Sequence, residues 1–135
     1  MAEEAVGFEL VSPERLLFSE SVEMVVVPGG EGDFGVLPRH TPMISTVRPG
    51  VIRVYEGGSV KEQIFVGGGF AEVTPRRCTV LADQAIPVDE IDRVEAEQQL
   101  KDAREDLTDA TTEEQRRAAE KAIAVCEAML EAGGS

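Results

Sequence analysis

Glycine and proline run out well before the chain does. Of its 13 glycines all but Gly133 and Gly134 precede residue 70, and the last of its 7 prolines is Pro87. Glycine supplies the positive φ of tight turns, and both residues interrupt regular structure. A punctuated first part therefore predicts many short strands, and an unpunctuated second part predicts long helices. The 135 residues divide on this basis into an expected β-sandwich over 1–86 and an antiparallel two-helix hairpin over 87–135, an α+β fold.

Within the first part, Phe8-Glu9-Leu10-Val11, Met24-Val25-Val26-Val27, Val51-Ile52-Arg53-Val54-Tyr55, Gln63-Ile64-Phe65-Val66, Phe70-Ala71-Glu72-Val73 and Cys78-Thr79-Val80-Leu81 read as strands. Val22, Met24 and Val26 alternate with Glu23, as in a strand that begins half exposed. Glu56-Gly57-Gly58-Ser59 fits a two-residue hairpin. With no Trp, one Tyr and five Phe, the core must rest on aliphatic side chains.

After Pro87 the pattern changes to a helical period. Asp89 is a suitable N-cap for a first helix over about 90–107, with Ala96, Leu100, Ala103 and Leu107 on one stripe. Thr111 with Glu114 offers a capping box for a second helix. That helix carries two adjacent stripes, Ala118–Ala122–Val125–Met129 and Ala119–Ile123–Cys126–Leu130, and Gly133-Gly134 is its expected end. So wide an apolar face leaves two readings open: it packs on the β-domain, or it serves a partner. Alanine contacts add only ~0.8 kcal/mol per methyl, and a surface pair such as Glu97–Lys101 ~0.3–0.5 kcal/mol. The hairpin is expected to be marginal unless it docks.

Charge excludes several functions. There are 26 acids against 13 bases, a formal net charge of -13, which disfavours nucleic acid and anionic lipid as partners. The acidic opening Met1-Ala2-Glu3-Glu4 is unlike a signal peptide, and no apolar run approaches the ~20 residues of a membrane span. The expectation is a soluble protein of a reducing compartment, without direct lipid insertion. Cys78, Cys126 and His40 share no metal-ligand spacing. No nucleophile–base pair stands out, so no catalytic residue, metal or cofactor is expected.

Gly30-Glu31-Gly32-Asp33-Phe34-Gly35 matches G-x-G-x-x-G in form. Phosphate binding by that motif needs a helix N-terminus, but Val36-Leu37-Pro38 and Pro42 follow, and Glu31 and Asp33 would repel phosphate. A dinucleotide site is not expected.

Several ordered motifs carry a resemblance instead. Phe8-Glu9-Leu10-Val11-Ser12-Pro13-Glu14-Arg15, Glu31-Gly32-Asp33-Phe34-Gly35-Val36-Leu37-Pro38-Arg39-His40-Thr41-Pro42, Arg48-Pro49-Gly50-Val51-Ile52, Gly68-Gly69-Phe70-Ala71-Glu72-Val73 and Thr79-Val80-Leu81-Ala82 resemble, in order, the epsilon subunits of rotary F-type ATP synthases. The resemblance implies a non-catalytic rotor subunit at the cytoplasmic face of the bacterial inner membrane. It implies a sandwich bound to the gamma subunit, with Glu31, Gly32, Asp33, Arg39 and His40 in the region that meets the c-ring subunits. In this family the hairpin either folds on the sandwich or extends into the catalytic head of alpha and beta subunits, where it obstructs ATP hydrolysis. Arg116, Arg117 and Lys121 are the expected head contacts, with a solvated helix face as the other reading. Some bacterial members bind ATP through I/L-D-x-x-R-A. Here Ile91 and Asp92 match that motif, but Glu95 stands where the arginine should be. Weak or absent ATP binding is therefore expected, which counts against the alternative of a free-standing ATP-sensing module.

Overall fold

A computed structural model describes residues 5–133; the acidic opening Met1–Glu4 and the glycine at 134 lie outside them. Ten strands form before the first α-helix: β1 Val6–Val11, β2 Leu16–Val22, β3 Met24–Gly29, β4 Gly32–Val36, β5 Met43–Val47, β6 Gly50–Glu56, β7 Ser59–Val66, β8 Gly69–Val73, β9 Arg77–Ala82 and β10 Ala85–Pro87. A single 3₁₀ turn at Val88–Glu90 leads into α1, Arg93–Asp109, and then α2, Glu113–Gly133.

The strands form one hydrogen-bonded series, β10-β7-β6-β3-β5-β8-β9-β1-β2, with β4 added to β3. It curls into two layers. One is β10-β7-β6-β3-β4; the other is β5-β8-β9-β1-β2. All pairings are antiparallel except β1 with β9. The layers are joined in the ladder where Gly29 of β3 opposes Val47 of β5. Alternate side chains fill the space between: Val6, Phe8 and Leu10 from β1, Val25 and Val27 from β3, Ile52 and Val54 from β6, Cys78 and Val80 from β9. The Phe8 and Phe18 rings lie 5.4 Å apart and tilted, an arrangement that adds attraction beyond area burial.

All six expected strands form, with one change of face. Glu23 lies between β2 and β3 rather than within a single strand. The alternation therefore restarts after it, so Val25 and Val27 are buried while Met24 and Val26 are half-buried. The Gly57-Gly58 turn forms with both φ values positive, 63° and 80°, as a two-residue hairpin requires.

The helix starts shift from the expected positions. Ile91 is extended, and the helix begins at Arg93 with Asp92 as N-cap, its Oδ1 accepting from the Glu95 backbone N–H at 3.1 Å. Asp89 instead sits in the 3₁₀ turn. The second capping arrangement is one residue later than expected. Thr112 Oγ1 accepts from the Gln115 N–H at 3.0 Å, while Gln115 Oε1 accepts from the Thr111 N–H at 2.9 Å. With Thr112 as the capping residue, Gln115 rather than Glu114 stands three residues on and fills this role. Glu97 pairs with Arg93 at 3.7 Å rather than with Lys101.

The hairpin lies on the outer face of the β6–β7 layer. Phe65, fully buried, points away from the sandwich core into a second cluster with Ala96, Val125 and Met129, flanked by Ile86, Val88 and Ile91. The wide apolar face of α2 thus packs on the β-domain along Val125 and Met129. Towards its start the same stripe lifts off: Ala118 is exposed and Ala122 half-buried.

Candidate functional site

Among the described residues no group of His, Cys, Asp or Glu is arranged to hold a metal. Burial pushes the Cys78 thiol up to about 12, and burial also raises that of Cys126. Both stay protonated near neutrality and are poor nucleophiles. Three surface regions stand out among the described residues.

The first is the turn between β3 and β4. Gly29 opposes Gly32, so Gly30 and Glu31 form a two-residue connection, and strand β4 rather than a helix follows the glycines. Gly30 donates its N–H to the Thr46 carbonyl at 2.9 Å. A Cβ there would collide with Thr46 Oγ1, so the close approach requires glycine. Gly32 adopts φ 138°. Asp33 is bound to Arg48, Nη2 donating to its Oδ1 at 2.6 Å, while Arg48 Nη1 donates to the Gly29 carbonyl at 2.6 Å. The Glu31 carboxylate is exposed.

Arg39 and His40 occupy a different place. They follow β4, whose five residues separate its ends by about 13 Å. At the far end the Arg39 N–H donates to the Pro75 carbonyl at 2.7 Å, in the β8–β9 turn. Arg39 has φ 69°, an uncommon conformation outside glycine. His40 Nδ1 lies 2.6 Å from the Thr41 carbonyl oxygen, which can only accept, so Nδ1 is the donor in this contact. Glu31, Gly32 and Asp33 are thus together, and Arg39 and His40 are together, but the two groups stand at opposite ends of the sandwich.

The second region was not singled out by its sequence. On the outer face of the β5-β8-β9 layer, away from the hairpin, Ile44 is 76% exposed, Phe70 58% and Leu81 54%, with Phe70 directly opposite Leu81. Leu37, beside the Arg39 loop, is 54% exposed. The large apolar side chains of Ile44, Phe70 and Leu81 share one sheet face. The signal was present in the alternation of Phe70-Ala71-Glu72-Val73. Phe70 shares a face with Glu72, and the small Ala71 faces the core with Val73.

The third region is the exposed side of the hairpin. Arg116 and Arg117 each approach Glu113, at 3.7 and 3.5 Å. Lys121 reaches across to the sandwich and pairs with Asp83 at 3.3 Å. In the Ile91–Ala96 segment Asp92 is committed to capping, Ile91 packs in the cluster under the hairpin, and Glu95 accepts from Gln99 Nε2 at 3.3 Å. No helix among the described residues is long and apolar enough to cross a membrane.

Comparison with known proteins agrees along the whole length. Residues 5–88 match the family model of the β-sandwich domain of the ATP synthase delta/epsilon chain, and residues 92–135 match that of the C-terminal domain of the ATP synthase epsilon chain. The ATP synthase epsilon chain of Rhodospirillum rubrum is 57% identical over 129 residues, covering 96% of each chain. That of Paramagnetospirillum magneticum is 54% identical over 129 residues, covering 96% of this chain and 97% of the relative. A chain in the cryo-EM structure of the Euglena gracilis mitochondrial ATP synthase superposes with a TM-score of 0.79 at 29% identity, covering 98% of this chain and 82% of that one. With a sandwich and a two-helix tail each matched to its own family model, and near-full-length relatives above half identity, the chain belongs to the ATP synthase epsilon-chain family, as a non-catalytic subunit of that complex.

Proposed function

We propose that this protein is a central-stalk subunit that binds the gamma shaft through the bare face of the β5-β8-β9 layer. In this reading it meets the c-ring through the Glu31–Gly32–Asp33 turn, and it carries in its hairpin a removable brake on ATP hydrolysis. The exposed Ile44, Phe70 and Leu81 carry the reading. They form an apolar face on the layer opposite the one that the hairpin covers, so both can be occupied together. Arg39 and His40, next to exposed Leu37, flank the gamma-facing side. At the far end of β4 they are poorly placed to share one flat contact with Glu31. The subunit sits at the cytoplasmic face of the bacterial inner membrane, as a peripheral part of the complex.

The hairpin's hold on the sandwich supports a brake that can be released. Its apolar contact is confined to one small cluster, and Lys121–Asp83 is an exposed pair worth little in water. Extension would exchange Asp83 for an acidic stretch of the catalytic beta subunit, with Arg116 and Arg117 turning to the same surface.

One reassembly series tests the reading, comparing the full-length protein, Phe70→Asp, Val94→Asp and a version ending at Val88. Phe70→Asp is expected to weaken gamma co-purification roughly 30-fold or more, the scale of a central interface residue. Val94, 76% exposed on α1, serves as the control and should leave gamma bound. The shortened version should keep gamma and raise ATP hydrolysis. Gamma retained by Phe70→Asp would remove the docking face, and unchanged hydrolysis after shortening would remove the brake.

A further inference from the structure

We propose that Arg48 is the positioning residue of the c-ring-facing turn, and that the two acids of this turn divide the work. Asp33 is used inward, to fix the turn's shape, and Glu31 alone offers its charge to the partner. The proposal rests on the reading that the β3–β4 turn meets the c-ring.

The geometry is that of a fork with two tines. One guanidinium nitrogen of Arg48 holds the Gly29 carbonyl, at the last residue of β3, and another holds Asp33 on β4, each at 2.6 Å. The residues between them, Gly30 to Gly32, are therefore gripped on both sides by a single side chain. Arg48 is itself anchored, its backbone N–H donating to the Pro28 carbonyl at 2.9 Å. On the other side the turn rests on β5 through Gly30 and Thr46. A planar guanidinium can satisfy two acceptors at fixed spacing; an ammonium is a point charge and cannot reproduce that geometry.

The electrostatic consequence separates the acids. Asp33 is neutralised by a cation at contact distance, with the Arg48 and Asp33 side chains about half exposed, 45% and 47%. The Glu31 side chain has no hydrogen bond or ion pair among the described residues. A basic or hydrogen-bond-donating group on the partner thus meets one uncompensated carboxylate, carried on a turn whose backbone is already set. Preorganisation of this kind lowers the ordering cost of binding.

Hydrogen exchange on the full-length protein tests the positioning, without reference to any partner. Arg48→Lys and Arg48→Met are both expected to speed exchange of the Gly30 amide about tenfold, the scale of one net hydrogen bond. Amides of β6 should be unchanged, which separates local loosening from general destabilisation. Glu31→Gln should leave Gly30 protected. Wild-type protection in Arg48→Lys would overturn the proposal, because charge alone would then suffice. So would loosening by Glu31→Gln equal to that of Arg48→Lys.

The partner side is read from retention of the catalytic head on membranes bearing the c-ring, across a salt gradient. Glu31→Gln should flatten the salt dependence. The double change Asp33→Asn with Arg48→Gln, which alters no net charge, should lower retention at every salt concentration without changing the slope. A flattened slope in the double variant but not in Glu31→Gln would refute the division of labour. A loosened turn in Arg48→Lys with retention unaffected throughout would leave Arg48 as the positioning residue and refute the c-ring assignment of the turn.

Discussion

The sandwich and the hairpin are built from the same aliphatic vocabulary but held in unequal ways. In the sandwich Phe8, Leu10, Ile52, Val25, Val27 and Val54 are wholly buried, and a ladder of backbone hydrogen bonds joins ten strands. In the hairpin the buried positions are Ala96, Leu100, Ala103, Ala119, Val125, Cys126 and Met129, three of them alanines. The helices meet each other through that thin seam and meet the sandwich through the small cluster around Phe65. Each methyl removed from water is worth ~0.8 kcal/mol, so seams of alanine bind weakly where stacks of Phe, Ile and Val do not. One part is held by a deep core and a continuous ladder. The other is held by a thinner seam.

The contrast predicts different failures. Phe8→Ala should cost about 3–5 kcal/mol in global stability, read from denaturant midpoints, because it opens a cavity in a core that cannot collapse around it. Met129→Ala should cost about 2 kcal/mol, but locally. Exchange should accelerate in α1 and α2 and at Phe65, with little change in β1 and β9. A uniform acceleration would mean that hairpin and sandwich unfold as one unit, and the contrast would fail.

The two thiols give the finest test. Cys78 ionises at about 12 when folded against its ordinary 9.0, so the unfolded state loses its proton first as pH rises. Stability from this group is therefore intact below pH 9 and declines by about 1.4 kcal/mol per pH unit between 9 and 12. Cys78→Ser should remove that decline. A thiol reagent should meanwhile label Cys126 by local opening of the hairpin, well before Cys78. Equal labelling rates would erase the distinction.

How much of this could be read from residue order follows from the range of the forces. The strand-then-helix division was legible because glycine and proline act locally and stop together. The helix caps were displaced by one to three residues because several acids and threonines could fill them, and only the extended Ile91 and the reach of Gln115 decide. Strand β4 was hard to see, since Gly32-Asp33-Phe34-Gly35-Val36 has weak strand preference; missing it made Asp33 and His40 look like members of one loop. Arg48 lies 15 residues from Asp33, and no local pattern announces such a partner. Phe70 and Leu81 were visible as strand residues. Which way they faced depended on Ala71 and Val80 being the ones that fit the core.

The junction of the two sheet layers has a mechanical meaning. Stacked layers held only by side chains can slide over one another, like cards in a pack. Here they are stitched through backbone at Gly29 and Val47, with the Gly30–Thr46 and Arg48–Pro28 hydrogen bonds on either side. The stitch lies directly beneath the Gly30–Glu31 turn. A push delivered at that turn would enter both layers at once, because backbone hydrogen bonds tie them together there.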